Sequence, residues 1–325
     1  MAELHLTNTR IAVVIPCFKV RSFILDVVAS IPAYVEKIFV IDDACPEKSG
    51  EFVLTNSANP KVEVIFNPVN LGVGGAVMEG YKKAFKEGFQ IIVKIDGDGQ
   101  MDASKIKNFV LPIIHKEADY TKGNRFYNPY FLRNMPKSRL VGNAVLSLVT
   151  KLSSGYWNSF DPTNGFTAIS SLVLQKLPLE RINKRYFFES DILFRLNIIR
   201  AVVADIPIDA KYGNEQSNLK ISENILPFIK GNAVNFIKRI AYNYYLRNFS
   251  LASLQLLFGI LLTLFGFFYG LSHWGISELN EPPATAGTVM VAALPIIVGF
   301  QLLMSFINYD INTVPRRPLT KILEE

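Results

Sequence analysis

The chain has 325 residues, half of them hydrophobic and 19% charged, with a formal net charge of +6 and only two cysteines, Cys17 and Cys45. So few cysteines exclude a disulfide-stapled scaffold, and both read as free thiols of a reducing compartment. The positive charge makes no case for a nucleic-acid partner, because the basic residues cluster beside two long apolar runs, where anionic lipid headgroups are nearer.

Residues 1–10 lack an apolar h-region, so no signal peptide is expected. Ile11 to Pro16 is an apolar strand stopped by proline, and Arg21 to Ile31 has helical spacing. Lys37 to Ile41 reads as a second strand, ending in Asp42 and Asp43, and Val62 to Phe66 as a third. A helix is expected from about Val73 to Glu87. Ile91 to Ile95 is a short β-branched strand, closed by a turn at Gly97 and Gly99, and a further helix follows from about Ser104 to His115. Strands alternating with helices predict an α/β fold, a mostly parallel sheet with helices on both faces.

The strand ends carry the chemistry. Asp42 and Asp43, Asn70 and Gly72, then Asp96, Asp98, Gln100 and Asp102 all collect at the carboxyl edge, where open α/β sheets bind ligands. Two carboxylates one residue apart repel unless a cation lies between them, and hard oxygen donors suit Mg²⁺ or Mn²⁺ carrying substrate phosphates. Taken alone, Asp96 and Asp98 read first as a plain Asp/Gly turn, and the rest of the chain must decide. The Gly-rich run from Asn70 to Gly80 fails the dinucleotide template, since Val77 stands where its third glycine belongs.

Further along, Arg133, Lys137, Arg139 and Lys151 offer positive charge to an anionic acceptor; Arg133 and Arg139 are the pair expected to bind it, the others being solvated. Glu189 and Asp191 sit near the start of a helix in FFESDILFRL, as caps and dipole partners or at the acceptor site. His115 and His273 have no metal-ligand neighbours and read as surface or interfacial residues.

Between Ser222 and Arg247, apolar residues recur at helical spacing among Lys and Arg, as in an amphipathic helix lying in the headgroup plane. Phe249 to Ser272 and Pro282 to Tyr309 contain no charged residue, and each is long enough to cross a bilayer, which takes about 20 residues. Lys230, Lys238, Arg239 and Arg247 precede the first span, and Arg316, Arg317 and Lys321 follow the second. The loop from His273 to Glu281 has neither Lys nor Arg, so both ends are expected in the cytoplasm. Tyr242, Tyr244, Tyr245 and Trp274 are placed as interfacial aromatics. The expected organisation is a catalytic domain at 1–221, interfacial helices at 222–248, a transmembrane hairpin at 249–309 with spans near 249–272 and 286–309, and a tail at 310–325. The hairpin leaves packing against a second copy, a homo-oligomer, open.

Six segments in order, IAVVIPCF, VIDDACPEKSG, NLGVGGAVMEGY, KIDGDGQMD, GNRF and DPTNGF, resemble the family-2 inverting glycosyltransferases of GT-A fold. Within that family the chain is most similar to the membrane-attached polyprenyl-phosphate glycosyltransferases, the group of dolichol-phosphate mannose synthase. The resemblance covers about Ile11 to Asp191. It implies that Asp43 binds the base, with Pro16, Phe18, Asn70, Gly72 and Asp96 around the nucleotide. It implies that Asp96 and Asp98 hold the metal and diphosphate, that Gln100 completes the metal site, that Arg125 contacts the diphosphate, and that Asp161 lies near the acceptor. The family's P-x-Y-N-E reads here Pro16-Cys17-Phe18-Lys19-Val20, so the acid that would contact the nucleotide is missing at Val20.

The expected reaction is inverting, metal-dependent transfer of a hexose-type sugar from a nucleotide sugar, UDP preferred, to polyprenyl (undecaprenyl or dolichyl) phosphate at the cytoplasmic membrane face. Departure of a nucleoside diphosphate builds negative charge, which a divalent cation and an arginine stabilise. A lipid phosphate is already ionised and needs no general base. Two other readings stay open: transfer to a hydroxyl of a lipid-linked saccharide or diacylglycerol, where Asp161 would be a needed base, and an inactive scaffold that keeps the fold. A transporter reading fails, since two spans without an intramembrane charge offer no pathway.

Overall fold

In the computed structural model, which describes residue 6 and residues 8–129, 137–209, 221–277 and 284–324, one seven-stranded sheet runs in the order β3-β2-β1-β4-β6-β5-β7. Its strands are β1 (Ile11–Cys17), β2 (Lys37–Asp42), β3 (Val62–Phe66), β4 (Ile91–Lys94), β5 (Tyr120–Asn124), β6 (Thr167–Ser170) and β7 (Val203–Pro207). Between them lie α1 (Ile24–Ser30), α2 (Ser49–Asn56), α3 (Val73–Lys86), α4 (Ile106–Ile114), α5 (Lys137–Ser154), the single turn α6 (Ser171–Leu174) and α7 (Phe188–Ile198). All neighbouring strands are parallel except at β6, which is antiparallel to both β4 and β5. That reversal places the amino-terminal end of β6 beside the carboxyl ends of β4 and β5, so three loops meet at one edge.

The long apolar strands need cover on both faces. Ile11, Val13 and Ile15 of β1 belong to a core with α1 and with Ile106, Phe109 and Val110 of α4. On the opposite face α3 presses close: a Cβ at Gly80 would overlap Val14 and lie 3.2 Å from Ile41 Cγ1, and one at Gly74 would stand 2.5 Å from the carbonyl oxygen of Asn183. The glycines of this run therefore serve close packing. Asp119, fully buried, accepts backbone N–H bonds from Val202 and Leu319, each at 2.7 Å, and from Thr320 at 2.8 Å. Its carboxylate thereby fastens the last helix, residues 319–324, to the sheet.

The chain divides into two compact units, residues 1–236 with 315–325, and residues 237–314. The helix α8 (Ile221–Ile240) crosses the division and is followed by a π-helical segment at Ala241–Leu246. In the second unit, α9 (Leu251–Ser277) and α10 (Ala286–Asn312) pack closely enough that a Cβ at Gly266 would lie 2.5 Å from the Ala292 carbonyl oxygen. Both are long and apolar enough to cross a membrane, with mean hydropathy 2.1 over the most apolar 18 residues of Leu251–Trp274 and 2.2 over those of Ala286–Asn312. Arg239, counted in the sequence among the cations flanking the first span, is instead buried and paired: its Nη1 and Nη2 donate to Asp310 Oδ1 and Oδ2 at 2.6 and 2.9 Å.

Candidate active site

The sheet register assembles the site. Val14 pairs with Lys94 and Pro16 with Ile41, so Asp42 and Asp43 after β2 and Asp96 and Asp98 after β4 emerge along one edge with Pro16 and Phe18. Arg125 follows β5 at the same edge, and the segment from Asp161 to Phe166 leads into β6 there. Asp96, Asp98 and Gln100 are partly exposed, and Gln100 N–H donates to Asp98 Oδ1 at 3.0 Å, which folds the turn back on itself.

Beneath Asp96 lies Lys94, a buried lysine whose Nζ is 2.7 Å from Asp96 Oδ1 and 3.3 Å from Glu189 Oε1, and 5.3 Å from the Phe188 ring centroid. Burial alone would lower the Lys94 pKa, but the two carboxylates outweigh it and hold the ammonium charged. One cation shared by two carboxylates leaves a surplus of negative charge. The surplus shows at Glu189, whose pKa burial pushes up to about 7 despite Lys94. A Cβ at Gly165 would overlap both Asp96 Oδ2 and Lys94 Nζ, so the glycine of DPTNGF is the floor on which this pair rests.

Arg125 and Asp161 meet across the β4–β6–β5 edge. Arg125 donates through Nε to Asp161 Oδ2 at 2.7 Å, through Nη2 to Oδ1 at 2.6 Å and through its backbone N–H to Oδ2 at 3.1 Å. Asn164 Nδ2 adds a donor at 3.1 Å, and the Asp161 N–H is accepted by Ser147 Oγ of α5 at 3.2 Å. Asp161 is fully buried with φ of 56°, a left-handed conformation that Asp tolerates better than most residues. Burial raises its pKa, but the Arg125 hydrogen bonds and charge prevail and hold it below the usual carboxylate range. The preceding residues are clamped by Asp205 of β7, which accepts from Ser159 Oγ, Phe160 N–H and Asn124 Nδ2, each at 2.8 Å. Lys122 Nζ joins the clamp, donating to the Phe160 carbonyl and lying 3.2 Å from Asp205 Oδ1.

Asp43 organises the loop that follows β3. Its Oδ1 accepts from Asn67 Nδ2 and Leu71 N–H, both at 2.8 Å, and its Oδ2 from Gly72 N–H at 2.7 Å. Asn70 donates to the Asp43 carbonyl at 3.1 Å and accepts from Arg185 Nη1 at 2.8 Å. Gly72 has φ of 88°, and a Cβ there would lie 2.6 Å from the Lys184 carbonyl oxygen, so this position requires glycine. Phe18 is 38% exposed at the rim.

Of the anticipated acceptor cations, Arg133 lies outside the described residues; Arg139 falls on α5, and only its backbone placement is described. Asp191 accepts from Asn183 N–H at 2.9 Å, Arg195 Nε at 3.1 Å and Asn235 Nδ2 at 3.1 Å, so its carboxylate ties α7 to α8 and to the segment before α7. Lys94 and the Lys122–Asp205 clamp were missed in the sequence, where a lysine inside a strand reads as an outward-facing residue; the only signal was its place directly before the carboxylate pair.

The donor set fits a hard divalent cation. Among the described residues no cluster of three or more His, Cys, Asp or Glu side chains gathers. Asp96, Asp98 and Gln100 would supply two carboxylates and an amide, and substrate phosphate oxygens would fill the remaining positions, as at Mg²⁺ sites commonly.

A mixed sheet with this carboxylate-lined edge is the GT-A glycosyltransferase fold. Glucosyl-3-phosphoglycerate synthase from Mycobacterium tuberculosis, solved with Mn²⁺, UDP and its product, superposes with a TM-score of 0.55 at 17% identity, covering 73% of this chain and 82% of that one. In sequence, the family described as Glycosyl transferase family 2 matches residues 12–177, and the chain belongs to that family. Among its relatives, the UDP-N-acetylglucosamine–dolichyl-phosphate N-acetylglucosaminyltransferase of Methanococcus voltae is 36% identical over 152 residues, 47% of this chain and 60% of that protein. The match thus spans less than two thirds of that relative. The undecaprenyl-phosphate mannosyltransferase of Micrococcus luteus is 28% identical over 173 residues, 53% of this chain and 70% of the other.

Proposed function

We propose that this glycosyltransferase moves a hexose-type sugar, with inversion, from a UDP-sugar to a polyprenyl phosphate at the cytoplasmic membrane face. The observation that carries the choice of acceptor is the state of Asp161. A general base must be able to take a proton near neutral pH, whereas Asp161 is buried, held by two guanidinium bonds and pushed to lower pKa. It positions Arg125. An acceptor that arrives ionised, as a phosphate monoester does, suits a site in which Asp161 takes no proton; a hydroxyl acceptor would have to give its proton to another group.

The nucleotide lies along Pro16, Phe18, Asp43, Asn70 and Gly72, with its diphosphate toward Asp96, Asp98 and Gln100. A bound Mg²⁺ or Mn²⁺ would neutralise the charge that grows on the departing diphosphate. Arg125, fixed by Asp161 before substrate arrives, adds a preorganised cation at the same place. Lys94 keeps Asp96 in place from below without touching substrate. Arg133 and Arg139 draw in the acceptor phosphate. The preference for UDP is supported by the donor in the name of the Methanococcus relative and by the UDP bound in the structural neighbour.

The test is a panel of nucleotide sugars given to the full chain in membranes with undecaprenyl phosphate, with products weighed by mass spectrometry and EDTA as control. A phosphodiester-linked lipid monosaccharide that is lost with EDTA supports the reading. Products formed only on hydroxyl acceptors sink it.

A further inference from the structure

The glycine-rich run that fails the dinucleotide template makes room for a second stretch of chain. A Cβ at Gly72 would lie 2.6 Å from the Lys184 carbonyl oxygen and 2.7 Å from Arg185 Cδ, and one at Gly74 would lie 2.5 Å from the Asn183 carbonyl oxygen. The Gly75 N–H donates to the Lys184 carbonyl at 3.0 Å. Residues 183–185 are thus bedded on the turn that leads into α3. Their far end is fixed as well, because the Phe188 N–H, in the first turn of α7, donates to the Arg185 carbonyl at 3.1 Å.

This bedding holds an exposed guanidinium in place. Arg185 Nη1 donates to Asn70 Oδ1 at 2.8 Å, and Asn70 in turn donates to the Asp43 carbonyl at 3.1 Å. Arg10, Arg125, Arg195 and Arg239 each meet a carboxylate. Among the described residues Arg185 meets none, its side-chain partner being a neutral amide. Such a partner fixes the direction of the fork without cancelling its charge, and leaves the other N–H groups open to a ligand. The sheet order puts β4, which leads into Asp96 and Asp98, between β3, whose following loop holds Arg185, and β5, which leads into Arg125. The two arginines therefore flank the carboxylate pair.

We propose that Arg185 is a donor-binding residue, a preset cation that contacts the diphosphate of the nucleotide sugar from the side of the β3 loop, across the Asp96–Asp98 pair from Arg125. The inference rests on the reading of this edge as a nucleotide-sugar site. An uncompensated guanidinium calls for an anion, and in a nucleotide sugar with a neutral hexose the diphosphate is the only one. The acceptor phosphate is the other anion of the reaction, but Arg185 stands at Asn70 and Gly72, along the nucleotide's path. The two arginines are also held differently. Arg125 is locked by two bonds to a buried carboxylate, whereas Arg185 is steered by one amide and keeps its full charge for a group that is anionic before the reaction begins. Its contribution therefore falls on donor affinity rather than on turnover.

The test is nucleotide binding to the full chain in detergent micelles with Mn²⁺ and no acceptor. Arg185→Gln keeps a donor for Asn70 Oδ1 and loses the charge. Its UDP affinity, measured by calorimetry, should fall about tenfold or more, the scale of a charge-assisted hydrogen bond, while uridine affinity, followed by saturation-transfer NMR, stays within about twofold. Arg185→Lys should recover part of the loss, and added KCl should weaken UDP binding more steeply in the wild type than in Arg185→Gln. In turnover, donor KM should rise with kcat and acceptor KM nearly unchanged, the reverse of Arg125→Ala. Undiminished UDP affinity in Arg185→Gln would overturn the proposal. So would an equal loss for UDP and uridine, which would make Arg185 a support for the loop, or a rise confined to acceptor KM, which would assign it to the acceptor phosphate. Failure of the transferase reading is separate, since the wild type itself would then bind no nucleoside diphosphate.

Discussion

Arg125 and Asp161 form a two-point ion pair, Nε to Oδ2 at 2.7 Å and Nη2 to Oδ1 at 2.6 Å, with the carboxylate fully buried and the guanidinium 17% exposed. A planar fork on a planar carboxylate fixes the direction of the cation as well as its place. Replacing Asp161 with Asn should therefore act through Arg125. We expect kcat to fall roughly 10²-fold, the scale of a misplaced catalytic group, while transfer remains measurable and the alkaline side of the pH–rate profile keeps its shape. The native Asp161 pKa is lowered, so its stabilisation is present above the unfolded pKa and disappears as pH falls through the native one. Acid unfolding of the wild type should accordingly show a dependence below pH ~4 that the Asn variant lacks.

Arg125→Ala removes the charge itself. Because negative charge on the diphosphate grows as the glycosidic bond breaks, kcat should drop by roughly 10²–10³ while donor KM changes little. Steady-state kinetics with varied donor decide this: a rise in KM at constant kcat would assign Arg125 to ground-state binding only.

Gly165→Ala tests the metal side without altering a ligand. The added Cβ would collide with Asp96 Oδ2 and Lys94 Nζ, and overpacking of this kind costs about 1–3 kcal/mol. Mn²⁺ binding followed by calorimetry should weaken at least tenfold, in line with Asp98→Asn, which removes a ligand charge from a partly exposed turn and should abolish transfer with the fold intact. Undiminished Mn²⁺ affinity in Gly165→Ala would show that Asp96 is not held in place by this contact.

How far these residues could be read from the chain depended on how conspicuous their burial was. Strands β1 to β4 are mostly apolar runs, two of which, β2 and β4, lead into acids, and their existence and edge chemistry were plain. β5, β6 and β7, with sequences YTKGN, TAIS and VADIP, carry little periodicity, because their buried polar groups are satisfied by tertiary partners: Thr121 by the Phe109 carbonyl, and Lys122 and Asn124 by Asp205. Helix α5 was unreadable as an amphipathic element for a related reason, since its hydroxyls point inward. Asp161 was legible as an acid ahead of β6, but its pairing with Arg125, 36 residues away in sequence, was not.

Glu189 gives a pH prediction for metal-free enzyme. Its pKa rises from the ordinary 4.5 to about 7 because burial penalises the charged carboxylate more than Lys94 relieves it. A raised native pKa means stability that is complete below the unfolded pKa and lost as pH climbs through the native one, on the order of 3 kcal/mol in all. Thermal unfolding in EDTA should show the melting temperature falling between pH 5 and 8. Glu189→Gln should flatten that slope while remaining folded, because the amide carries no charge to desolvate. A slope that persists in Glu189→Gln would place the titrating group elsewhere.

In the second unit, Asp310 receives Arg239 at 2.6 and 2.9 Å and the Tyr244 hydroxyl at 2.5 Å, tying α8 and the π-helical segment to the end of α10. Both charges are nearly inaccessible, so removing one strands the other. Arg239→Ala and Asp310→Ala should each destabilise by about 3–5 kcal/mol, whereas replacing both with apolar residues of similar volume should recover most of that loss. Tyr244 then decides how complete the recovery is. With Asp310 gone its hydroxyl keeps only Thr313 Oγ1, at 3.4 Å, and a buried unsatisfied hydroxyl costs about 1–3 kcal/mol. The combination Arg239→Met, Asp310→Leu and Tyr244→Phe should therefore melt above the Arg239→Met, Asp310→Leu pair in detergent. If the triple variant melts no higher than the single Ala variants, the pair stabilises this unit by more than the mutual neutralisation of two buried charges.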